Sequence, residues 1–110
     1  MLTACSTAKV QPQAFNDAEA AIEAAIRAGA EEHAPVELRF ARDKLQEAHK
    51  GVEYKDWEKA LVLVEQSEIN SELAIEKSRT ARIRNDVTEL ARQNEILRED
   101  FESTYGERSQ

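Results

Sequence analysis

Residues 57–104 read WEKALVLVEQSEINSELAIEKSRTARIRNDVTELARQNEILREDFEST, and neither glycine nor proline occurs between Gly51 and Gly106. Such a run predicts one helix, opened by Asp56 as N-cap. At 1.5 Å per residue it would be roughly 70 Å long, far beyond the average of about 11–12 residues, so it needs packing along its length. Two seams supply that packing. Trp57, Ala60, Val64, Ser67, Ser71, Ala74, Ser78 and Ala81 recur at strict three-four spacing and, after Trp57, are mostly small. Ile83, Val87, Leu90, Asn94, Leu97 and Phe101 keep the spacing in a different phase with larger side chains. Small residues suit close antiparallel packing within the chain, whereas the larger ones suit contact with something else, so the helix should leave its bundle near Ser78. A break at Asn85 and Asp86 is the competing reading, with Asp86 and Glu89 as a capping box and a fourth helix folding back. No glycine ends the preceding helix there.

Upstream, the punctuation is sparse: Gly29, Gly51, Pro12 and Pro35. Residues 6–13 are polar and aperiodic and read as a tether reaching at most ~30 Å. Helix 1 is expected to begin at Asn16, where Asn16 and Glu19 have capping-box spacing, and to stop at Gly29. Its buried stripe would be Ala18, Ile22 and Ala25, widened by Ala21 and Ile26. Pro35 suits the first turn of helix 2, and His49 and Lys50 suit its last turn before Gly51. Leu38, Ala41, Leu45, Ala48 and Val52 give that helix an amphipathic stripe.

The expected fold is therefore all-α: an antiparallel three-helix bundle whose long third helix extends as a coiled-coil-like C-terminal arm. The parts would be a lipobox and flexible tether at 1–14, the bundle at 15–80, the helical extension at 81–105 and a disordered tail at 106–110. A chain of 110 residues holds one core. With 41% apolar residues, many of them alanine, and 5% aromatics, that core should be shallow. A net charge of −7 without a basic cluster argues against nucleic acid, and no stretch approaches the ~20 apolar residues of a membrane span.

Little in the sequence points to catalysis or to a bound small molecule. His33 and His49 lack metal-ligand spacing and read as surface residues. Glu31-Glu32 and Glu99-Asp100 are neighbours that point apart on a helix. Ser67, Ser71 and Ser78 lie on the small seam, where packing would wall in a nucleophile. Gly51, Tyr54, Trp57 and Ala60 have some likeness to a tetratricopeptide helix pair, but no 34-residue repetition follows, and they read as turn and core residues. No enzyme activity, cofactor or small-molecule substrate is expected. Asn94 is more informative, because one polar residue at a coiled-coil core position fixes register and strand number at a cost in stability. It would pair best with its own copy in a parallel dimer or small oligomer.

Leu2, Thr3, Ala4 and Cys5 resemble the lipobox of bacterial lipoproteins, at the N-terminus and with the only cysteine of the chain. The basic start and 7–15-residue apolar region of a signal peptide do not precede Leu2, so lipidation is expected of a precursor that begins upstream of Met1. A thioether-linked diacylglycerol on Cys5 would hold a membrane stably through two chains. Ser6 after the cysteine, where an aspartate is absent, implies outer-membrane sorting. Residues 15–81 also resemble the small bacterial lipoproteins grouped as domain-of-unknown-function family 4398. The resemblance rests on AEAAIEAAIRAGAEEHAPVELRFARDKLQEA (18–48) and KDWEKALVLVEQSEINSELA (55–74), most diagnostically 30–44. It implies an envelope protein with a helical hairpin or three-helix bundle, sometimes fused to an OmpA-like peptidoglycan-binding domain, and brings no activity with it.

If the helices run up, down and up, the tether enters beside the turn at 51–55, and copies anchored in one leaflet all point the same way. The expected function is thus a structural or adaptor lipoprotein of the cell envelope on the periplasmic face of the outer membrane. It would self-associate or dock an envelope partner through Ile83, Val87, Leu90, Asn94, Leu97 and Phe101. The rival is a cytosolic coiled-coil scaffold that starts at Met1, with Cys5 an ordinary thiol.

Overall fold

The structure is a computed structural model, and it describes residues 9–106. Those residues form four helices, α1 (Pro12–Arg27), α2 (Ala30–His33), α3 (Pro35–Glu53) and α4 (Trp57–Tyr105). The chain divides into two compact units, Met1–Arg79 and Thr80–Gln110.

α1 starts a turn earlier than the capping-box spacing predicts. Gln11 is its N-cap and Pro12 its first residue, where a missing N–H costs nothing and the fixed φ suits a helix. Asn16 therefore sits inside the helix rather than at its start, and residues 12–14, expected in the tether, are helical. Gln13 donates to the Asp17 carboxylate at 2.8 Å, supporting the first turns. Gly29 ends α1 as expected, at φ 95°, a region an L side chain rarely adopts. It also opens α2, a single turn that the sequence does not predict, which adds a fourth helix to the expected three.

α3 begins at Pro35, as predicted, but runs through Gly51 to Glu53. Lys55, not a glycine, takes the left-handed conformation at φ 59°. The amide of Lys55 donates to the Val52 carbonyl at 3.0 Å and that of Asp56 to the Gly51 carbonyl at 2.8 Å, the two bonds of a Schellman ending. Gly51 serves instead as a close-contact residue. A Cβ there would lie 3.2 Å from the Ala60 Cβ, so α3 and α4 approach closely at this point. The buried stripe of α3 accordingly comprises Leu38, Ala41, Leu45, Ala48 and Gly51, with Val52 only half-buried.

α4 opens at Trp57, with the Lys59 amide donating to the Asp56 carboxylate at 3.3 Å, so Asp56 is the N-cap the sequence predicts. The helix passes Asn85 and Asp86 without a break. Ala60, Val64, Ser67, Ser71, Ala74 and Ser78 are buried, joined by Leu63, while Trp57 and Ala81 are half-buried. The core of the first unit is alanine-rich. Ala18, Ile22 and Ala25 of α1, Ala30 of α2, Leu38, Ala41, Leu45 and Ala48 of α3, and Leu63, Val64 and Ala74 of α4 form one cluster. Phe15, Ile26 and Ile75 close its edges.

Two substitutions test these local accounts by chemical denaturation. Lys55→Gly should stabilise the fold by about 1 kcal/mol, because it relieves the left-handed penalty. Gly51→Val should destabilise it by about 2 kcal/mol through overpacking against Ala60.

Candidate functional site

In the second unit, α4 carries a strip of large apolar side chains facing solvent. Ile83, Val87, Leu90, Leu97 and Phe101 are 58–64% exposed, and Asn94 between them is also exposed. Their spacing brings all six predicted residues to one helical face, since residues at alternate three- and four-residue steps stack on one side. The charged residues sit off that face. Arg92 bonds the Glu89 carboxylate at 2.7 and 3.1 Å, with Gln93 adding a third bond to it at 3.0 Å. Arg98 pairs with Glu95 at 2.7 Å. The bonds from Arg92 and Gln93 hold the Glu89 carboxyl below its ordinary pKa. At the end of the strip the Phe101 and Tyr105 rings lie 4.8 Å apart.

Cys5 lies outside the described residues. Among those described, the start of α1 lies against the turn between α3 and α4. The Lys9 ammonium is 5.9 Å from the Trp57 ring centroid, and Phe15 stacks on His49 at 4.5 Å. Tyr54, read from the sequence as part of the turn and core, is 82% exposed because the Schellman turn projects it into solvent.

The seam serines are structural in their bonding. The Ser67 hydroxyl donates to the Ala41 carbonyl of α3 at 2.7 Å, while Ser71 and Ser78 donate to carbonyls four residues back, Ser67 and Ala74. All three residues are fully buried, and each hydroxyl proton is committed to a backbone acceptor. His33 is half-buried in α2 beside Glu32, at 3.8 Å. No group of three or more potential metal ligands gathers among the described residues. No described helix is long and apolar enough to cross a membrane.

The first unit also exposes apolar side chains that its seam does not predict: Val36 and Phe40 on α3, and Val62, Ile69 and Leu73 on α4. The seven- and four-residue steps from Val62 to Ile69 to Leu73 are their sequence signal.

Two carboxylates of this unit have opposed environments. Glu37 of α3 pairs with Lys77 of α4, and that hydrogen bond, aided by its own backbone amide, holds its pKa down. Burial pushes the Glu68 carboxyl up, helped by the negative charges of Asp17, Glu72 and Glu65. A depressed carboxylate contributes stability above its unfolded pKa and loses it as pH falls through the folded value. A raised one does the reverse, costing stability at neutral pH and ceasing to do so as pH falls. Glu37→Gln should thus lower stability at pH 7 by about 0.5–1 kcal/mol. Glu68→Gln should raise it by a fraction of that. In thermal melts from pH 7 downward, the Glu68 difference should vanish as pH falls below the ordinary carboxyl value, and the Glu37 difference should persist to lower pH than that.

A model of the family described as "Domain of unknown function (DUF4398)" matches residues 13–90. No curated protein and no solved structure matches the chain.

Proposed function

The chain belongs to the DUF4398 family, and from that membership, the Cys5 motif and the exposed strip of α4 we propose a non-catalytic structural or adaptor lipoprotein of the bacterial cell envelope. A diacylglycerol on Cys5 anchors the precursor-derived protein at the periplasmic face of the outer membrane. The strip of Ile83, Val87, Leu90, Asn94, Leu97 and Phe101 docks an envelope partner or a second copy. The first unit is an antiparallel bundle of α1, α3 and the first part of α4. The order of its contacts supports that arrangement: Gly51 meets Ala60, Ala41 meets Ser67 and Glu37 meets Lys77, so α4 advances as α3 recedes. The Phe15–His49 stack likewise sets the start of α1 beside the end of α3.

The observation that carries the docking role is the exposure of five large apolar side chains on one charge-free face. Fully burying such a side chain is worth about 1.5–3 kcal/mol. At a little over half exposure, the five together offer on the order of 5 kcal/mol or more per helix on being covered. That is enough to drive association past its entropic cost only if most of the strip is buried at once.

Mass spectrometry of the protein from its native membrane should find Cys5 carrying diacylglycerol; an unmodified Cys5 in a soluble cytosolic fraction overturns the anchor. The double variant Leu90→Asp/Leu97→Asp should lose proteins that the wild-type chain retains from detergent-solubilised envelope, at unchanged helicity and melting of the first unit. Retention equal to wild type rejects the strip as a docking surface.

A further inference from the structure

Resting on that docking reading, we infer that the occupant of the strip is a second copy of this chain, aligned parallel and in register, so that Asn94 meets Asn94 of the second copy. The spacing fixes the frame. The four-residue step from Ile83 to Val87 and the three-residue step from Val87 to Leu90 make Val87, Asn94 and Phe101 the a positions, with Ile83, Leu90 and Leu97 the d positions. A β-branched residue at a with leucine at the following d, as in Val87 and Leu90, favours two strands over three.

Orientation follows from what Asn94 would face. In a parallel pair each a residue packs on its own copy, so the two Asn94 amides can donate and accept across the interface. In an antiparallel pair a packs on d, and Asn94 would be buried against Leu90 or Leu97 with its amide unbonded, a costly arrangement in an apolar seam. The flanking charges separate the registers in part. In the parallel register Asp86 faces Ala91, Gln93 faces Arg98 and Asp100 faces Tyr105 of the second copy, and one like-charged pair, Arg84 with Arg79, falls at the start of the strip. In the antiparallel register that sets Asn94 on Leu90, Asp86 would face Asp100 and Arg84 would face Arg98, which is repulsive on both sides; in the one that sets Asn94 on Leu97, Gln93 would face Asp100 and Ala91 would face Arg98, and the unbonded amide alone opposes it. The pairs Glu89–Arg92 and Glu95–Arg98 form within one helix, so they need not break for the strip to close.

The test uses the full chain carrying Cys5→Ser, with a single cysteine placed at either end of the strip by Ile83→Cys or Phe101→Cys. Sedimentation equilibrium of the Cys5→Ser chain should give twice the monomer mass at micromolar concentration. Under mild oxidation each cysteine variant should cross-link to its own copy, whereas a mixture of the two should give almost no crossed product. Asn94→Val should associate at least ten-fold more tightly and admit species larger than a dimer. Crossed products exceeding self-products show an antiparallel pair and overturn the inference. A chain that stays monomeric to millimolar concentration overturns it too. If Leu90→Asp/Leu97→Asp still loses envelope proteins in that monomeric case, docking stands with a different occupant; if it behaves as wild type, docking falls as well.

Discussion

The close approach of α4 to α3 is the constraint on which the first unit depends. With so few large side chains, its core gains little from bulk and must gain from proximity, since dispersion contacts decay within a fraction of an ångström of separation. Gly51 against Ala60 sets the spacing at one end. Further along α4, Ser67, Ser71, Ala74 and Ser78 keep its face thin. Serine in place of alanine brings a hydroxyl that costs about 1–3 kcal/mol if buried without a partner. Each hydroxyl has one, and among the described residues no buried side-chain nitrogen or oxygen is left unbonded. Ser67 does more than satisfy itself, because its acceptor, the Ala41 carbonyl, belongs to the neighbouring helix and so fixes the sliding register of the two.

Charge then refines what packing determines. Glu37 and Lys77 tie α3 to α4 beside the serine seam, in the same antiparallel order as the Ser67 bond. Glu68, by contrast, sits among Asp17, Glu65 and Glu72, where α1 and α4 bring like charges together. The first unit carries 15 acidic against 10 basic residues, so some such crowding is unavoidable in it, and the cost is moderated by solvent at a half-buried rim. The first unit therefore combines a well-satisfied interior with an imperfect surface, as expected when stability is needed only above a threshold.

Much of this was legible in the sequence, and the failures share a cause. The long helix, its Asp56 cap, the small-residue seam and the stripes of Ala18, Ile22 and Ala25 and of Leu38, Ala41, Leu45 and Ala48 all follow from periodicity and capping chemistry. The start of α1 and the end of α3 did not follow, because each depended on a competition that local rules cannot weigh. Asn16 and Glu19 have the spacing of a cap, yet Pro12 starts a helix just as well, and Phe15 gains a stack on His49 by being helical. Gly51 looks like a stop, yet its value lies in admitting Ala60, a contact between residues on different helices. Lys55 then accepts the left-handed conformation that glycine would have taken more cheaply. The strip at 83–101 was legible as a pattern, because its three- and four-residue steps stack on one face, and its exposure follows from the structure.

The same alternation of three and four residues thus serves two physical ends along α4, and side-chain size separates them. Where the residues are small, the seam is already buried, and its polar members are bonded within the chain. Where they are large, the seam is open, and a helix in isolation gains nothing from leucine, isoleucine and phenylalanine on one face that alanine or glutamate would not supply at lower risk of aggregation. The intrahelical pairs of Glu89 with Arg92 and of Glu95 with Arg98 give the exposed helix local support of a few tenths of a kcal/mol each. That support makes the helix less dependent on a partner for being helical, while leaving the apolar face available. Asn94 sharpens the point: a leucine there would make the strip stickier toward any apolar surface, whereas an amide penalises every occupant that cannot return a hydrogen bond at that one position.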